Sequence, residues 1–144
     1  MKLLFLRLLN PIVIFILDST FHFILSKNLL ALTFYGRKTG KKYKTPLSYL
    51  KKDDNIFCFT DRPNIWWRNL ILQSEVEISL KGNRVRCLAI AELESESIEE
   101  LLIEIINHSP IDAFFADIKF VDGKPDSRSI KEAVQRLVLL RLSI

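Results

Sequence analysis

The sequence predicts an α+β fold built around a mostly antiparallel sheet. Three observations carry this. Segments that read as strands follow one another through turns of a few residues, too short for the crossovers that parallel pairing needs. Helical and strand-like stretches come in the order helix, three strands, helix, two strands, helix, strand, which is an α+β rather than an alternating arrangement. The chain has 144 residues, 49% hydrophobic and 26% charged, enough for one globular core without staples. We therefore expect a single domain over 1–144, with residues 1–26 an apolar N-terminal helical segment.

That segment is almost entirely apolar from Leu3 to Leu17, and Asp18 ends the run. It is too short to span a bilayer, which takes about 20 apolar residues, and Arg7, Asn10 and Pro11 interrupt it. A signal peptide would need an unbroken apolar stretch and small residues at a cleavage site. Asn10-Pro11 predicts a break between a first helix and a second over Pro11–Leu25. Two arrangements remain open: packing on the domain, which we favour, or lying at a membrane surface with Lys2, Arg7 and Lys27 at the headgroups. Either way we expect a cytoplasmic protein, peripheral to the inner membrane face in the second case.

Leu29–Tyr35 reads as a buried strand that Gly36 stops. Thr45–Leu50 returns as a second strand, and Ile56–Thr60 follows the Asp53-Asp54-Asn55 turn as a third. After the loop Asp61-Arg62-Pro63-Asn64, Trp66–Gln73 reads as a short helix. Val76, Ile78 and Leu80 alternate with Glu77, Ser79 and Lys81, a half-buried strand. Gly82-Asn83 has the composition of a two-residue hairpin turn, and Arg84–Ala91 is its partner strand. Residues 96–107 form a helix, with Ser97 and Glu100 spaced as a capping box and Ile98, Leu101, Leu102, Ile105 and Ile106 as the buried face. Asp122-Gly123 marks a turn, Ser129–Arg136 a short helix and Leu137–Leu142 a final strand.

The net charge of +4 is unevenly spread. Arg37 to Lys44 holds five basic residues and no acid, and Glu92 to Glu104 six acids and no base. A local basic cluster favours a bound anion. Basic residues are not interleaved with aromatics along a face, so we expect no nucleic-acid partner. Cys58 and Cys87 lie in apolar runs and read as buried free thiols. His22 and His108 lack ligand-spaced neighbours. No metal motif, nucleophile elbow or paired-acid arrangement is present, so no catalytic residue is assigned.

The turn Gly36-Arg37-Lys38-Thr39-Gly40 is the chemically richest stretch. Its glycines can take positive φ, and such a turn presents consecutive amides as an anion nest. Arg37 adds a planar fork, Lys38 a point charge and Thr39 a hydroxyl. A solubilising lysine-rich hairpin tip fits the same residue types. The Walker spacing is absent.

Leu29 to Gly40, followed by Thr45-Pro46-Leu47, resembles the core motif of the deazaflavin-dependent nitroreductase family. A second motif of that family, a tryptophan helix, is matched by Trp66-Trp67-Arg68-Asn69-Leu70. Gly123-Lys124-Pro125 and the strand Arg136–Leu142 are also similar to one branch of it. The resemblance spans roughly residues 20 to 143. It implies a six- or seven-stranded antiparallel split β-barrel with peripheral helices (the FMN-binding split-barrel type), usually a homodimer. It implies that Arg37, Lys38, Thr39 and Gly40 hold the phosphate and acidic tail of a reduced deazaflavin, coenzyme F-420, or alternatively FMN. Trp66, Trp67 and Asn69 would shape the pocket at the ring, one tryptophan in the core and one at the groove. The implied chemistry is hydride transfer to a quinone, nitroaromatic or enone. The rival implication is a non-catalytic binder of a flavin, haem or lipid. The sequence departs from the family pattern at Tyr43, where a second basic residue is usual. It departs again at Asp61-Arg62-Pro63-Asn64, where Asp61 would repel an anionic tail if it faced the groove. Arg68 could pair with an anion or, in the plainer and commoner arrangement, with Glu75 or Glu77.

Overall fold

The structure, a computed structural model, describes residues 2–20, 29–108 and 110–144. Its centre is a closed barrel of six strands in the order β1-β2-β3-β8-β5-β4: β1 Leu29–Tyr35, β2 Lys42–Lys52, β3 Asn55–Asp61, β4 Ser74–Leu80, β5 Asn83–Glu92 and β8 Leu137–Ser143. Every pairing is antiparallel. A separate hairpin joins β6 Phe120–Val121 to β7 Lys124–Pro125. The helices are α1 Lys2–Asp18, α2 Ser95–His108, α3 Pro110–Phe115 and α4 Ser127–Arg136, with a 3-10 helix over Ile65–Leu70. The expected strand order and antiparallel barrel are present, and α3 is an addition to the elements read from the sequence.

Two cores sit on opposite faces of the same strands. Leu30, Leu32, Ile56, Cys58, Ile78, Val138, Leu140 and Leu142 belong to the cluster that fills the barrel. Phe57, Leu137 and Leu139 point the other way and join Ile98, Leu102, Ala133 and Val134 beneath α2 and α4. Period-two alternation thus explains why β8 is apolar from Leu137 to Leu140: both of its faces are covered there. The same holds for β1. Its alternate residues Ala31 and Thr33 are buried as well, on the strand that α1 packs against together with β2.

α1 runs unbroken through Pro11, contrary to the predicted break. Pro11 is exposed, so its ring, which removes one amide donor from the helix, lies on the solvent side and meets no packed neighbour there. The helix also stops at Asp18 instead of continuing to Leu25, with Ser19 donating back to the Ile16 carbonyl from its amide at 3.1 Å and its hydroxyl at 2.8 Å. Residues 21–25 of the predicted second helix, and His22, lie outside the described residues. Leu17 is buried, whereas Ile12 and Phe15 face outward.

Three turns refine the sequence reading. Leu80 pairs directly with Asn83, so the hairpin turn is Lys81-Gly82, not Gly82-Asn83. Both residues take positive φ, 48° and 79°, the primed geometry that matches strand twist. α2 begins at Ser95, two residues before the predicted cap. Ser97 lies inside its first turn and donates to the Glu94 carboxylate at 3.2 Å, and the five predicted core residues form its buried face. α4 starts at Ser127, capped by Asp126, whose side chain accepts from the Ser129 amide.

Among the described residues no helix is long and apolar enough to cross a membrane.

Candidate functional site

The β1–β2 turn and the 3-10 helix face each other across a groove of about 680 Å³, lined by Phe34, Arg37, Lys38, Thr39, Tyr43 and Trp66 with Gly36, Ile65, Arg68, Asn69 and Ile71. The size falls within the usual range for a small-molecule site.

One wall is aromatic. Phe34 ends the inward-facing set of β1, and its register partner on β2 is Tyr43. Their rings stack at 5.5 Å between centroids, 17° from parallel. Trp66 stacks on the other side of Phe34 at 5.0 Å and 24°. The three rings form a continuous Tyr43–Phe34–Trp66 ladder. Trp67, one residue on, points about 120° away around the 3-10 helix. It is buried, belongs to the barrel core and donates from Nε1 to the Arg62 carbonyl at 3.0 Å. So of the two tryptophans named from the sequence, Trp66 lines the groove and Trp67 supports it from behind.

The other wall is the basic turn, which is closed on itself. The Gly36 amide donates to the Lys41 carbonyl at 2.9 Å and the Gly40 amide to the Gly36 carbonyl at 2.8 Å. The Lys41 amide reaches the Thr39 hydroxyl at 3.3 Å. Gly36 makes room for this: a side chain there would meet Thr39 Oγ1 at 3.0 Å. Gly40 takes φ of 70° and closes the turn without lining the groove. With the Arg37 amide bound to Asn69 Oδ1 at 2.9 Å, the amides of Gly36, Arg37, Gly40 and Lys41 are used internally. The expected nest of consecutive free amides is therefore reduced to Lys38 and Thr39, and anion attraction falls mainly to side chains. Arg37 donates from Nη1 to the Arg68 carbonyl at 3.2 Å, which orients its guanidinium and leaves its other donors available.

No lining residue is acidic. Asp61, the residue that would have opposed an anion, is held by Arg136 at 3.1 Å and is not part of the groove. Arg68 does not take the expected acidic partner. Glu75 pairs with Arg86 at 3.8 Å, and the Arg68 guanidinium lies over the Trp67 ring at 5.8 Å while lining the groove. Phe34, Ile65 and Ile71 were not singled out in the sequence. Ile65 and Ile71 flank the tryptophan motif and are exposed, but only the docked helix shows which way they face.

The closed six-strand antiparallel barrel with helices outside it has the fold of the FMN-binding split-barrel type. The family model for F420H(2)-dependent quinone reductase matches residues 19–112, and the chain belongs to that family. This is an oxidoreductase family of the deazaflavin-dependent kind that the sequence motifs resemble. No curated protein matches the sequence. Among solved structures the chain is similar to one described as a domain-swapped dimer, with 14% identity, 83% of each chain covered and a TM-score of 0.56. It is similar to the general stress FMN/FAD binding protein from Xanthomonas citri, with 18% identity, 82% of this chain and 75% of that chain covered, and a TM-score of 0.50. It is also similar to HutZ, the heme storage protein from Vibrio cholerae, with 16% identity, 85% and 84% covered, and a TM-score of 0.52.

Proposed function

We propose that the protein binds reduced deazaflavin, coenzyme F-420, in the groove and uses it to reduce a quinone. The observation that carries this reading is the juxtaposition of a planar aromatic wall with a basic rim that contains no acid. The residues fit the group: Trp66, backed by buried Phe34, offers a flat apolar surface to a tricyclic ring, and Arg37, Lys38 and Thr39 offer cations and a hydroxyl to a phosphate with an acidic tail. FMN carries a similar tricyclic ring and a phosphate and is the alternative ligand.

When bound, the coenzyme supplies the hydride. The chain's own part is to bind, orient and exclude water. Arg37 and Lys38 anchor the anionic end, Trp66 sets the plane of the ring, and Ile65 and Ile71 make the mouth apolar enough to receive a quinone. Gly40 shapes the turn and Trp67 holds the tryptophan helix in place, so both act on the site from outside it. The likeness to a domain-swapped dimer supports a homodimer as the working assembly, and a soluble coenzyme as co-substrate supports a cytoplasmic location. Ile12 and Phe15, exposed on α1, support the contact of the N-terminal segment with a membrane surface.

The test is a titration of the protein with coenzyme F-420 and with FMN, followed by turnover of a water-soluble quinone under reduced coenzyme. Saturable binding of the deazaflavin with quinone-dependent reoxidation is the expected result. Binding of FMN alone would replace the cofactor. Binding without turnover of quinone, nitroaromatic or enone would leave the protein a carrier and overturn the enzymatic reading.

A further inference from the structure

We propose that Asn69 is a positioning residue, whose side-chain amide fixes the distance between the basic turn and the tryptophan wall instead of contacting the ligand. The inference rests on the groove being the ligand site.

The Asn69 amide is already committed at both ends. Its Oδ1 accepts the Arg37 amide at 2.9 Å, across 32 residues of sequence. Its Nδ2 donates to the Trp66 carbonyl at 2.8 Å. The two partners define the orientation of the side chain without ambiguity, because a backbone N–H can only donate and a carbonyl can only accept. One planar group therefore joins the residue that presents the first cation of the turn to the residue that presents the indole of the wall.

Both bodies it joins are stiff on their own. The turn is closed by the Gly36–Lys41 and Gly40–Gly36 backbone bonds. The 3-10 helix is anchored by buried Leu70 and by Trp67 on the Arg62 carbonyl. Between them, the hydrogen bonds seen among the described residues both leave from Arg37, one to Asn69 and one to the Arg68 carbonyl. Without the Asn69 bridge the turn keeps its internal shape and loses its register against the wall. A ligand that must touch both then meets its cations and its aromatic surface at a varying separation, and misplacement of about 1 Å is costly for such paired contacts.

Direct contact and positioning predict different couplings. Asn69→Leu should weaken binding of coenzyme F-420 or FMN by roughly tenfold, the worth of about one net hydrogen bond or slightly more. In an Arg37→Ala/Lys38→Ala background the same change should have almost no effect, because the two turn cations that line the groove are gone. An equal loss in both backgrounds would mean that Asn69 touches the ligand itself, and would overturn the proposal. Hydrogen exchange at the Arg37 amide gives a readout free of any ligand: Asn69→Leu should accelerate it by at least about tenfold, and unchanged exchange would also overturn the proposal. If Asn69→Leu does not fold, Asn69→Ser, too short to bridge both partners, carries the same two measurements. If the wild-type protein binds neither coenzyme, the proposed function falls, and the exchange measurement alone decides whether Asn69 ties the turn to the wall.

Discussion

Arg136 Nε donates to Asp61 Oδ1 at 3.1 Å, across 75 residues of sequence, and this contact engages a carboxylate at the end of β3 that does not line the groove. Arg136 also donates to the Ala116 carbonyl at 2.9 Å and approaches Asp117 at 3.8 Å, so it ties the end of α4 to β3 and to the segment after α3. Removing it leaves a half-buried carboxylate without its main donor. We expect Arg136→Leu to destabilise the fold by about 1–3 kcal/mol, measured as a shift of the denaturant midpoint at constant slope. Adding Asp61→Leu should recover part of the loss, and no recovery would mean that the pair is not coupled.

The double change Arg37→Ala/Lys38→Ala separates binding from folding. Each charge-assisted hydrogen bond contributes about 1.5–3 kcal/mol, so coenzyme affinity should fall at least about tenfold. Both residues are exposed, and the melting temperature should hardly move. Unchanged affinity with an unchanged melt would make the turn a solubilising tip.

Trp66 and Trp67 should dissociate in the same way. Trp67→Ala removes a buried indole together with its hydrogen bond to Arg62 and should cost about 3–5 kcal/mol of stability. Trp66→Ala removes a half-buried ring and should cost less, while weakening coenzyme binding by roughly threefold to tenfold through the lost stack. Comparable melts for the two variants would contradict the division of roles.

The two thiols should be inert in the folded protein. Burial pushes the Cys87 thiol up to about 11. Cys58, fully buried in the barrel core, is also raised, first by burial and then by its neighbours Cys87 and Asp112. The thiolate is the reactive form, so a thiol reagent at neutral pH should label neither in the native state and both after denaturation. Rapid labelling without denaturant would show that the barrel opens.

The end of α1 should respond to acid. Burial alone would raise the Asp18 carboxyl, but hydrogen bonds from Lys44 and Ser79, both at 2.9 Å, outweigh it and hold the pKa below the ordinary carboxylate value. A depressed folded pKa adds stability above the unfolded pKa of about 3.9, and that stability is lost as pH falls through the folded value. Wild type should therefore exceed Asp18→Asn by up to about 1 kcal/mol at pH 7, the range for a solvent-screened pair. The two should converge in thermal melts well below pH 4. A constant difference across that range would mean that the carboxylate charge is not what holds the helix.

The strands were legible because their signals are local: alternation in Val76–Leu80, a turn composition at Asp53-Asp54, an apolar run at Leu137–Leu142. The basic turn and the tryptophan motif were legible as residue types for the same reason. What joins them was not. The Arg37–Asn69 bond depends on how the 3-10 helix docks, and the Tyr43–Phe34–Trp66 ladder depends on strand register plus that docking. Most of the free amides expected of the turn were taken up by its own closure and by Asn69, a matter of backbone geometry and docking that composition does not encode. Pro11 misled because its cost to a helix depends on whether its ring meets solvent or a packed neighbour, and a local rule cannot see solvent exposure.

Closure of the barrel limits how the protein can associate. β4 returns to pair with β1 through Ala31, Leu32 and Thr33, so each of the six strands has a neighbour on both sides and the barrel has no full-length free edge strand. Among the described residues the β6–β7 hairpin keeps open edges, and each of its strands is two residues long. The routes that the barrel itself favours for meeting another copy are therefore contact through side-chain surfaces, or exchange of a segment after that short β1–β4 seam parts.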